Sequence, residues 1–213
     1  MSATYRLDRK RGVLLDEAGR RMDPVTRQWF AAEATRRTDA LETVDAIGAV
    51  TWLQRESGHP LRVPIGVIGA REATDAQLAA ALEVGELLGD CRLTVICGGR
   101  QGVMQAVCEG VARVGGLSIG LLPETDPMAA NRYVGVAIAT GIGEARNALI
   151  ARAAFCLIAI GDSFGTLSEV ALGRQFGKLV IGLEGAADVE GVLQVATARE
   201  AVAIAAERIL TVT

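Results

Sequence analysis

Residues 161–169 read Gly161-Asp162-Ser163-Phe164-Gly165-Thr166-Leu167-Ser168-Glu169, directly after the apolar run 154–160. Such a run is typical of a buried strand, and the residues after it have the composition of a turn into a helix. A turn of this kind leaves backbone N–H groups at the helix N-terminus without partners, and these groups can hold a phosphate. Glycines supply conformational freedom here and Ser163 and Thr166 add hydroxyl groups, so the stretch predicts a site for a phosphorylated small molecule.

A second stretch with the same pattern lies upstream. The apolar run 93–97 leads into Gly98-Gly99-Arg100-Gln101-Gly102, and residues 103–107 are typical of a helix. Three glycines at a helix start favour backbone donors and a helix dipole directed at an anion, although a tight turn that binds nothing is the alternative. A third turn, Gly69-Ala70-Arg71, follows the apolar run 63–68, and its arginine is suited to a phosphate or a carboxylate.

Apolar runs alternate with helix-length segments from residue 61 onward, which is typical of a parallel sheet covered on both faces. The predicted fold class is α/β, a Rossmann-like three-layer fold with a mainly parallel sheet. We predict strands near 63–68, 93–97, 118–122, 134–138, 155–160, 178–181 and 192–195, a loop over 123–132 and a closing helix over 198–210. Because such sheets bind ligands at the carboxyl ends of their strands, we expect all three turns on one edge.

Residues 1–60 differ in character from the rest and predict an N-terminal hairpin and helical arm, separate from a ligand-binding domain over 61–213. The patterns of 5–8 and 12–16 favour a short hairpin. Asp23-Pro24 is a typical helix start, and Gly58 is a typical stop, so we predict helix between them with a break near residues 38–39. We expect this arm to pack on the sheet domain or on a second subunit, with a lid over the ligand as the alternative.

Composition narrows the classes of function. The chain has 213 residues, of which 50% are hydrophobic, and a net charge of -3, so we expect no nucleic-acid partner. Four cysteines without a CxxC pair are typical of buried thiols in a cytoplasmic protein, and no apolar run reaches the ~20 residues of a membrane span. A single histidine argues against a multi-histidine metal site, and the incomplete GxGxxG pattern argues against a nicotinamide cofactor.

Two charged residues are candidates for chemistry. Arg146 starts one predicted helix, and Glu169 lies one turn into another. If their strands are neighbours, the two side chains face each other across the predicted site. A carboxylate beside a ribose can stabilise an oxocarbenium-like transition state or activate water, and an arginine can hold the phosphate. A structural ion pair or a capping glutamate is the alternative.

These motifs resemble those of the LOG-like Rossmannoid superfamily, which includes cytokinin riboside 5′-monophosphate phosphoribohydrolases and molybdenum cofactor carrier proteins. The Gly-Gly turn followed by Gly-(Val/Leu)-Met in that superfamily is matched by Gly98, Gly99, Gly102, Val103 and Met104. Its PGGxGTxxE motif is matched by residues 161–169, with Gly161-Asp162-Ser163 in place of Pro-Gly-Gly. The resemblance covers about residues 64–210 and implies that both motifs bind the ligand.

The chain is most similar to the molybdenum cofactor carrier protein-like branch. The arginine of the superfamily falls on Arg146, which is followed by Asn147 where the phosphoribohydrolases have lysine. The resemblance therefore places Asn147 among the ligand-binding residues. In the phosphoribohydrolases, the residues that match Arg146 and Glu169 are the catalytic pair. Members usually associate, so a homodimer or homotetramer is implied.

Two functions follow from these observations. The first is a binding or carrier protein for a phosphorylated heterocyclic ligand, either the molybdenum cofactor or a nucleotide, with no further cofactor required. In this hypothesis the glycine turns and Thr166 cradle the phosphate, Arg71 and Arg146 supply charge, and Glu169 bonds to a sugar or pterin edge. The alternative is a nucleoside 5′-monophosphate phosphoribohydrolase, which cleaves the N-glycosidic bond to free base and ribose 5-phosphate.

Overall fold

The computed structural model describes residues 3–31 and 41–211. The chain divides into two compact units, Met1–Leu61 with Val202–Thr213 and Arg62–Ala201. The first unit contains strands β1 (Thr4–Asp8), β2 (Val13–Leu15), β3 (Arg20–Met22), β4 (Trp29–Ala31) and β5 (Glu42–Asp45), followed by helix α1 (Ala46–Arg55). Its described strands form an antiparallel sheet in the order β4-β3-β2-β1-β5. The predicted N-terminal hairpin is thus present as β1 and β2.

The prediction of a helix starting at Asp23 is wrong. The carboxylate of Asp23 accepts the N–H of Val25 at 2.9 Å and the hydroxyl of Thr26 at 2.9 Å, which closes a turn between β3 and β4 instead of capping a helix. Trp29 lies on a strand because its ring stacks on that of Tyr5, with centroids 5.9 Å apart. Among the described residues between Asp23 and Gly58, helix is confined to α1, and the predicted break near residues 38–39 lies outside the described residues.

The second unit is built on one parallel sheet. Its strands are β6 (Ile65–Gly69), β7 (Val95–Cys97), β8 (Ser118–Leu122), β9 (Val136–Ala139), β10 (Leu157–Ile160), β11 (Val180–Leu183) and β12 (Val192–Gln194). The seven predicted strands are therefore present, beginning up to two residues later than the sequence indicates. All of their pairings are parallel, in the order β12-β11-β10-β6-β7-β8-β9.

Helices cover both faces of this sheet and complete the predicted three layers. They are α2 (Asp75–Asp90), α3 (Val103–Arg113), α4 (Asn147–Ala153) and α5 (Phe164–Gln175). The predicted closing helix is present as α6 (Ala198–Leu210), which from Val202 onward belongs to the first unit. Helices α2 and α3 pack against each other, as do α4 and α5. Buried aliphatic side chains such as Ile68, Leu157 and Val170 form a core between the strands and the α4–α5 layer.

The order of the strands positions the site. From β6 the chain moves outward through β7, β8 and β9, then returns to the other side of β6 as β10. Loops after β6 and β10 therefore leave the sheet in opposite directions and open a crevice at their carboxyl ends, which is where ligands bind in open α/β sheets.

Candidate functional site

A cleft of about 160 Å³ opens at this switch point. Residues after β6, β7 and β10 form its walls, together with the start of α4 and the first turns of α3 and α5. The lining residues are Ile68, Gly69, Arg71, Gly98, Arg100, Met104, Glu144, Arg146, Asn147, Ser163, Gly165, Thr166 and Glu169. The three turns that the sequence singles out thus meet in one cleft.

Helix α5 directs an open N-terminus at the cleft. Ser163 caps this helix, because its Oγ accepts the N–H of Thr166 at 3.1 Å and lies 2.8 Å from the Thr166 hydroxyl. The N–H groups of Phe164 and Gly165 have no hydrogen-bond partner among the described residues. A Cβ atom added to Gly165 would meet nothing closer than the Ser163 Oγ at 3.8 Å. Two backbone donors and open space therefore stand together at the positive end of the helix dipole.

The turn before α3 leaves no space for a ligand at Gly102 and no free N–H donor at Val103. Gly102 has a φ of +71°, and a Cβ atom added to it would lie 2.5 Å from the carbonyl oxygen of Ala70. That oxygen also accepts the N–H of Val103 at 3.1 Å, so the first donor of the helix is already used. Neither Gly102 nor Val103 lines the cleft. This turn gives the cleft the backbone of Gly98 and the side chains of Arg100 and Met104.

Asn131 holds the same turn from the loop after β8. Its Nδ2 donates to the carbonyl oxygens of Gly99 at 3.1 Å and Arg100 at 2.9 Å, and its backbone N–H donates to Gly99 at 2.9 Å. The side chain is buried, so these bonds fix the turn in a site shielded from water. Sequence reasoning missed Asn131 because it lies in a segment treated only as a loop.

Arg146 is the buried cation at the centre of the cleft. It ends the short 3-10 helix Gly143–Arg146, and its Nη1 donates to the Asn147 side chain and lies 3.6 Å from Glu169 Oε1. Its Nη2 lies 3.7 Å from Glu144 Oε2, and its Nε has no hydrogen-bond partner among the described residues. The sequence pattern around Glu144 does not predict this contact. The guanidinium is therefore flanked by two carboxyl groups at ion-pair distance and keeps an unsatisfied donor.

Glu169 has an unusual acidity. Burial raises its pKa to about 8, although nearby Arg146 lowers it and Glu144 raises it further. Burial dominates because a charged carboxylate loses its water shell in the cleft wall. Near neutral pH, the carboxyl group is thus mostly protonated and can donate a hydrogen bond or a proton to a ligand.

The other two arginines of the cleft differ in their partners. Arg100 Nη1 lies 2.6 Å from Glu124 Oε1, so its charge is already matched. Arg71 forms no ion pair with any described residue and is exposed at the cleft. Arg71 is consequently the cleft arginine whose charge is available to an anion.

A family model now places the chain. The model of the SLOG cluster4 family matches residues 62–210, which include every residue of the cleft. The chain belongs to this family. A curated relative, an uncharacterized protein of Archaeoglobus fulgidus, is 38% identical over 138 residues, which are 65% of this chain and 91% of the relative.

Solved structures similar to this SLOG cluster4 protein include molybdenum cofactor proteins. The molybdenum cofactor binding protein of Rippkaea orientalis has a TM-score of 0.66 and 32% identity, over 70% of this chain and 99% of that chain. The molybdenum cofactor carrier protein of Chlamydomonas reinhardtii has a TM-score of 0.62 and 30% identity, over 71% of this chain and 100% of that chain. These matches confirm the superfamily and the branch that the motifs indicate.

A more distant likeness shows the fold alone. DNA processing protein A of Streptococcus pneumoniae has a TM-score of 0.54 at 18% identity, over 67% of this chain and 62% of that chain. The expectation that this SLOG cluster4 protein binds no nucleic acid therefore stays a prediction.

Most residues predicted from the SLOG cluster4 sequence lie in the cleft, but five do not line it. These five are Ala70, Gly99, Gly102, Val103 and Gly161. Gly161 has a φ of +66°, and an added Cβ atom would press on the side chain of Gln77, which donates to the carbonyl oxygen of Glu184 at 3.0 Å. The predicted contact of these five residues with a ligand stays a prediction.

The described residues of the SLOG cluster4 protein offer neither a metal cluster nor a membrane-spanning helix. Within residues 3–31 and 41–211, no three histidine, cysteine or acidic side chains cluster in a way that could hold a metal ion. Over the same residues, every helix is too short or too polar to cross a membrane.

Proposed function

We propose that this SLOG cluster4 protein binds and carries a small ligand that joins a phosphate group to a heterocycle. The observation that carries the proposal is the space beside Gly165. A glycine in a helix costs about 1 kcal/mol relative to alanine. No described neighbour lies close enough to forbid a side chain there, and its φ is not left-handed. The glycine therefore keeps room for a ligand at two free N–H donors.

The side chains of the cleft fit a phosphate. Arg71 offers an unmatched positive charge, Thr166 supplies a hydroxyl group, and the unpaired Nε of Arg146 is a buried donor without a partner among the described residues. Gly98 allows the Arg146 guanidinium to lie close to the turn, because its missing Cβ would stand 2.8 Å from Nη2. Glu169, protonated near neutral pH, is suited to bond a sugar or pterin oxygen.

The names of similar structures favour the molybdenum cofactor as the ligand. The two solved proteins described above are named for binding and carrying that cofactor, and both align over nearly their full length. In this proposal the cofactor is cargo, and the chain needs no resident cofactor of its own. Its terminal phosphate would occupy the cleft, with Arg71 and the start of α5 as the phosphate contacts.

A retention experiment tests the proposal. Cofactor released from a molybdoenzyme is mixed with the purified protein, which is then gel-filtered anaerobically and assayed for molybdenum and for oxidised pterin fluorescence. We expect both to elute with the wild-type protein and to be lost in Gly165→Ala, at unchanged melting temperature. If wild type retains no cofactor and calorimetry detects no binding of ribose 5-phosphate, the carrier proposal is wrong.

A second candidate function is the phosphoribohydrolase, and the raised pKa of Glu169 favours it. A carboxyl group with a pKa of about 8 in a cleft is suited to act as a general acid near neutral pH. In this reaction, the C1′–N bond breaks, the base nitrogen takes a proton, and water supplies the oxygen and a proton to the ribose 5-phosphate product. Arg146, 3.6 Å from Glu169, would orient the acid.

Chromatography separates the two functions. The protein is incubated with a panel of nucleoside 5′-monophosphates, and free base and ribose 5-phosphate are quantified. Release that disappears in Glu169→Gln would establish the hydrolase. A folded wild-type protein that releases no base but binds ribose 5-phosphate supports the carrier.

We also infer a cytoplasmic homodimer or homotetramer. The edge strand β9 supports self-association, because Val136 and Ile138 are both exposed on it. Light scattering coupled to gel filtration measures the assembly directly, and a mass near 22.3 kDa would contradict it.

A further inference from the structure

Phe164 is an apolar side chain in an unexpected place. It is the first residue of α5, between the cleft-lining residues Ser163 and Gly165, and 96% of its surface is exposed. No other large apolar side chain among the described residues is as exposed. A phenylalanine this exposed in the folded chain is accessible to a ligand or to another chain.

The cleft itself is small for a ligand that joins a heterocycle to a phosphate. Its volume of about 160 Å³ is well below the ~300–1,000 Å³ of typical small-molecule pockets. Its described lining includes arginines, glycines and hydroxyl groups but no aromatic side chain, so a flat ring finds no stacking partner inside. A ligand whose phosphate lies at the start of α5 and whose sugar or ring edge meets Glu169 extends its ring toward the rim, and Phe164 is the aromatic side chain next to the α5 donors.

We propose that Phe164 is a specificity-determining residue, which stacks on the aromatic ring of the ligand while the phosphate occupies the cleft. This inference rests on the proposed function. It assigns the two parts of the ligand to different groups: the phosphate to the backbone and arginines, the ring to a single exposed side chain. Stacking of a base on an aromatic side chain tolerates different ring types, so the ligand class is a phosphorylated aromatic heterocycle, pterin or purine, rather than a sugar phosphate.

A pair of ligands isolates the contribution of the ring. Ribose 5-phosphate carries only the phosphate and sugar, whereas formycin 5′-monophosphate adds a purine-like ring through a C–C bond that resists glycosidic hydrolysis. Calorimetry on the full chain is expected to show formycin 5′-monophosphate binding about tenfold more tightly in the wild type. Phe164→Ala should remove this preference and leave ribose 5-phosphate binding unchanged, while Phe164→Trp should retain it.

Leu167→Ala is the matched control, because Leu167 is a partly exposed apolar residue on the same helix that does not line the cleft. It should keep the preference for the ring. If Phe164→Ala keeps the preference too, or if it lowers only the mass measured by light scattering, Phe164 does not contact the ligand and the inference is wrong. If wild type binds neither ligand, the anion site fails and this inference fails with it; equal binding of both ligands by wild type overturns only the role of Phe164.

Discussion

Two glycine-rich turns that look alike in the sequence differ in the structure in how much space surrounds their glycines. The turn Gly98–Gly102 precedes α3, and the stretch Gly161–Gly165 leads into α5, of which Gly165 is the second residue. At Gly102, the backbone of Ala70 and Arg71, in the loop after β6, occupies the place of a side chain. At Gly165 that place is open to the cleft. The first glycine is required by the fold, whereas the fold is compatible with a side chain at the second, which in the proposed function leaves room for a ligand.

The difference shows how a glycine can be assigned to folding or to binding. A glycine with a left-handed φ and backbone contacts is explained by local geometry alone. A glycine with an ordinary helical φ and no close neighbour is not required by local geometry, so a ligand is the explanation to test. Substitution by alanine separates these two cases, because it changes stability in the first and affinity in the second.

Gly102→Ala should have the largest effect on stability. The added Cβ atom meets the Ala70 and Arg71 carbonyl oxygens, and the φ of +71° is unfavourable for alanine. We expect a loss of about 3 kcal/mol in the free energy of unfolding, measured by urea denaturation. Gly177→Ala is the matched control, since Gly177 has a φ of +70° but no atom within 4 Å of the added Cβ. Equal losses in both variants would show that contact at Gly102 contributes nothing.

Glu169→Gln should change how stability depends on pH. The folded-state pKa of about 8 lies above the ordinary value of 4.5, so the folded chain binds this proton more tightly than the unfolded chain. The free energy of unfolding is then highest below pH 4.5 and falls as the pH rises from 4.5 to about 8. The glutamine variant lacks this loss, so its free energy of unfolding relative to that of wild type should rise between pH 5 and pH 8. Parallel stability curves for the two proteins would contradict the raised pKa.

Gly165→Ala should change affinity without harming the fold. Alanine is favoured over glycine in a helix, and the nearest atom to the added Cβ is 3.8 Å away, so the melting temperature should stay the same or rise slightly. The methyl group occupies ligand space, and binding of ribose 5-phosphate should weaken about tenfold, or ~1.4 kcal/mol, in calorimetry. A variant that binds as well as wild type would place the phosphate elsewhere and remove the distinction between the two turns.

The sequence predicts the layers and the edge of the sheet better than it predicts the roles of individual glycines. Buried strands are continuous apolar runs, so β6, β7, β10 and β11 are visible without tertiary information. Asp23-Pro24 begins a turn as readily as a helix, and the stacking of Trp29 on Tyr5, which accompanies the turn, joins residues far apart in the sequence. The N–H of Val103, next to Gly102, donates to the Ala70 carbonyl oxygen of another loop, and the sequence around Gly102 carries no sign of that contact.

The same limit applies to the polar residues around the cleft. Arg146 and Glu169 are predictable because each lies at a helix start after a strand, and the order of the strands brings them within 3.6 Å. Asn131 and Glu144 are not, since their importance comes from the groups they meet across space: two carbonyl oxygens for Asn131 and the Arg146 guanidinium for Glu144.

Glu144→Gln should have the smallest effect on ligand affinity. It tests whether the Glu144 carboxylate competes with a ligand for the Arg146 guanidinium. Arg146 lies over the Gly98 turn with Nη2 3.7 Å from the Glu144 carboxylate, which is the place a phosphate oxygen would take. Because Glu144 is 72% exposed, water screens this interaction, and we expect ribose 5-phosphate to bind only about threefold more tightly to the variant. The gain should shrink at high salt.

Asp162→Asn is the control for Glu144→Gln, since it removes the same charge at an exposed neighbour of Ser163 that forms no ion pair with a described arginine of the cleft. If both variants gain the same affinity for ribose 5-phosphate, the effect comes from the overall negative charge near the cleft and not from the contact between Glu144 and Arg146. If Glu144→Gln weakens binding instead, the carboxylate accepts a hydrogen bond from the ligand. The Gly98 turn would then take part in recognition through Arg146 and Glu144, and the contrast between a packing turn and a binding turn would hold for Gly102 but not for Gly98.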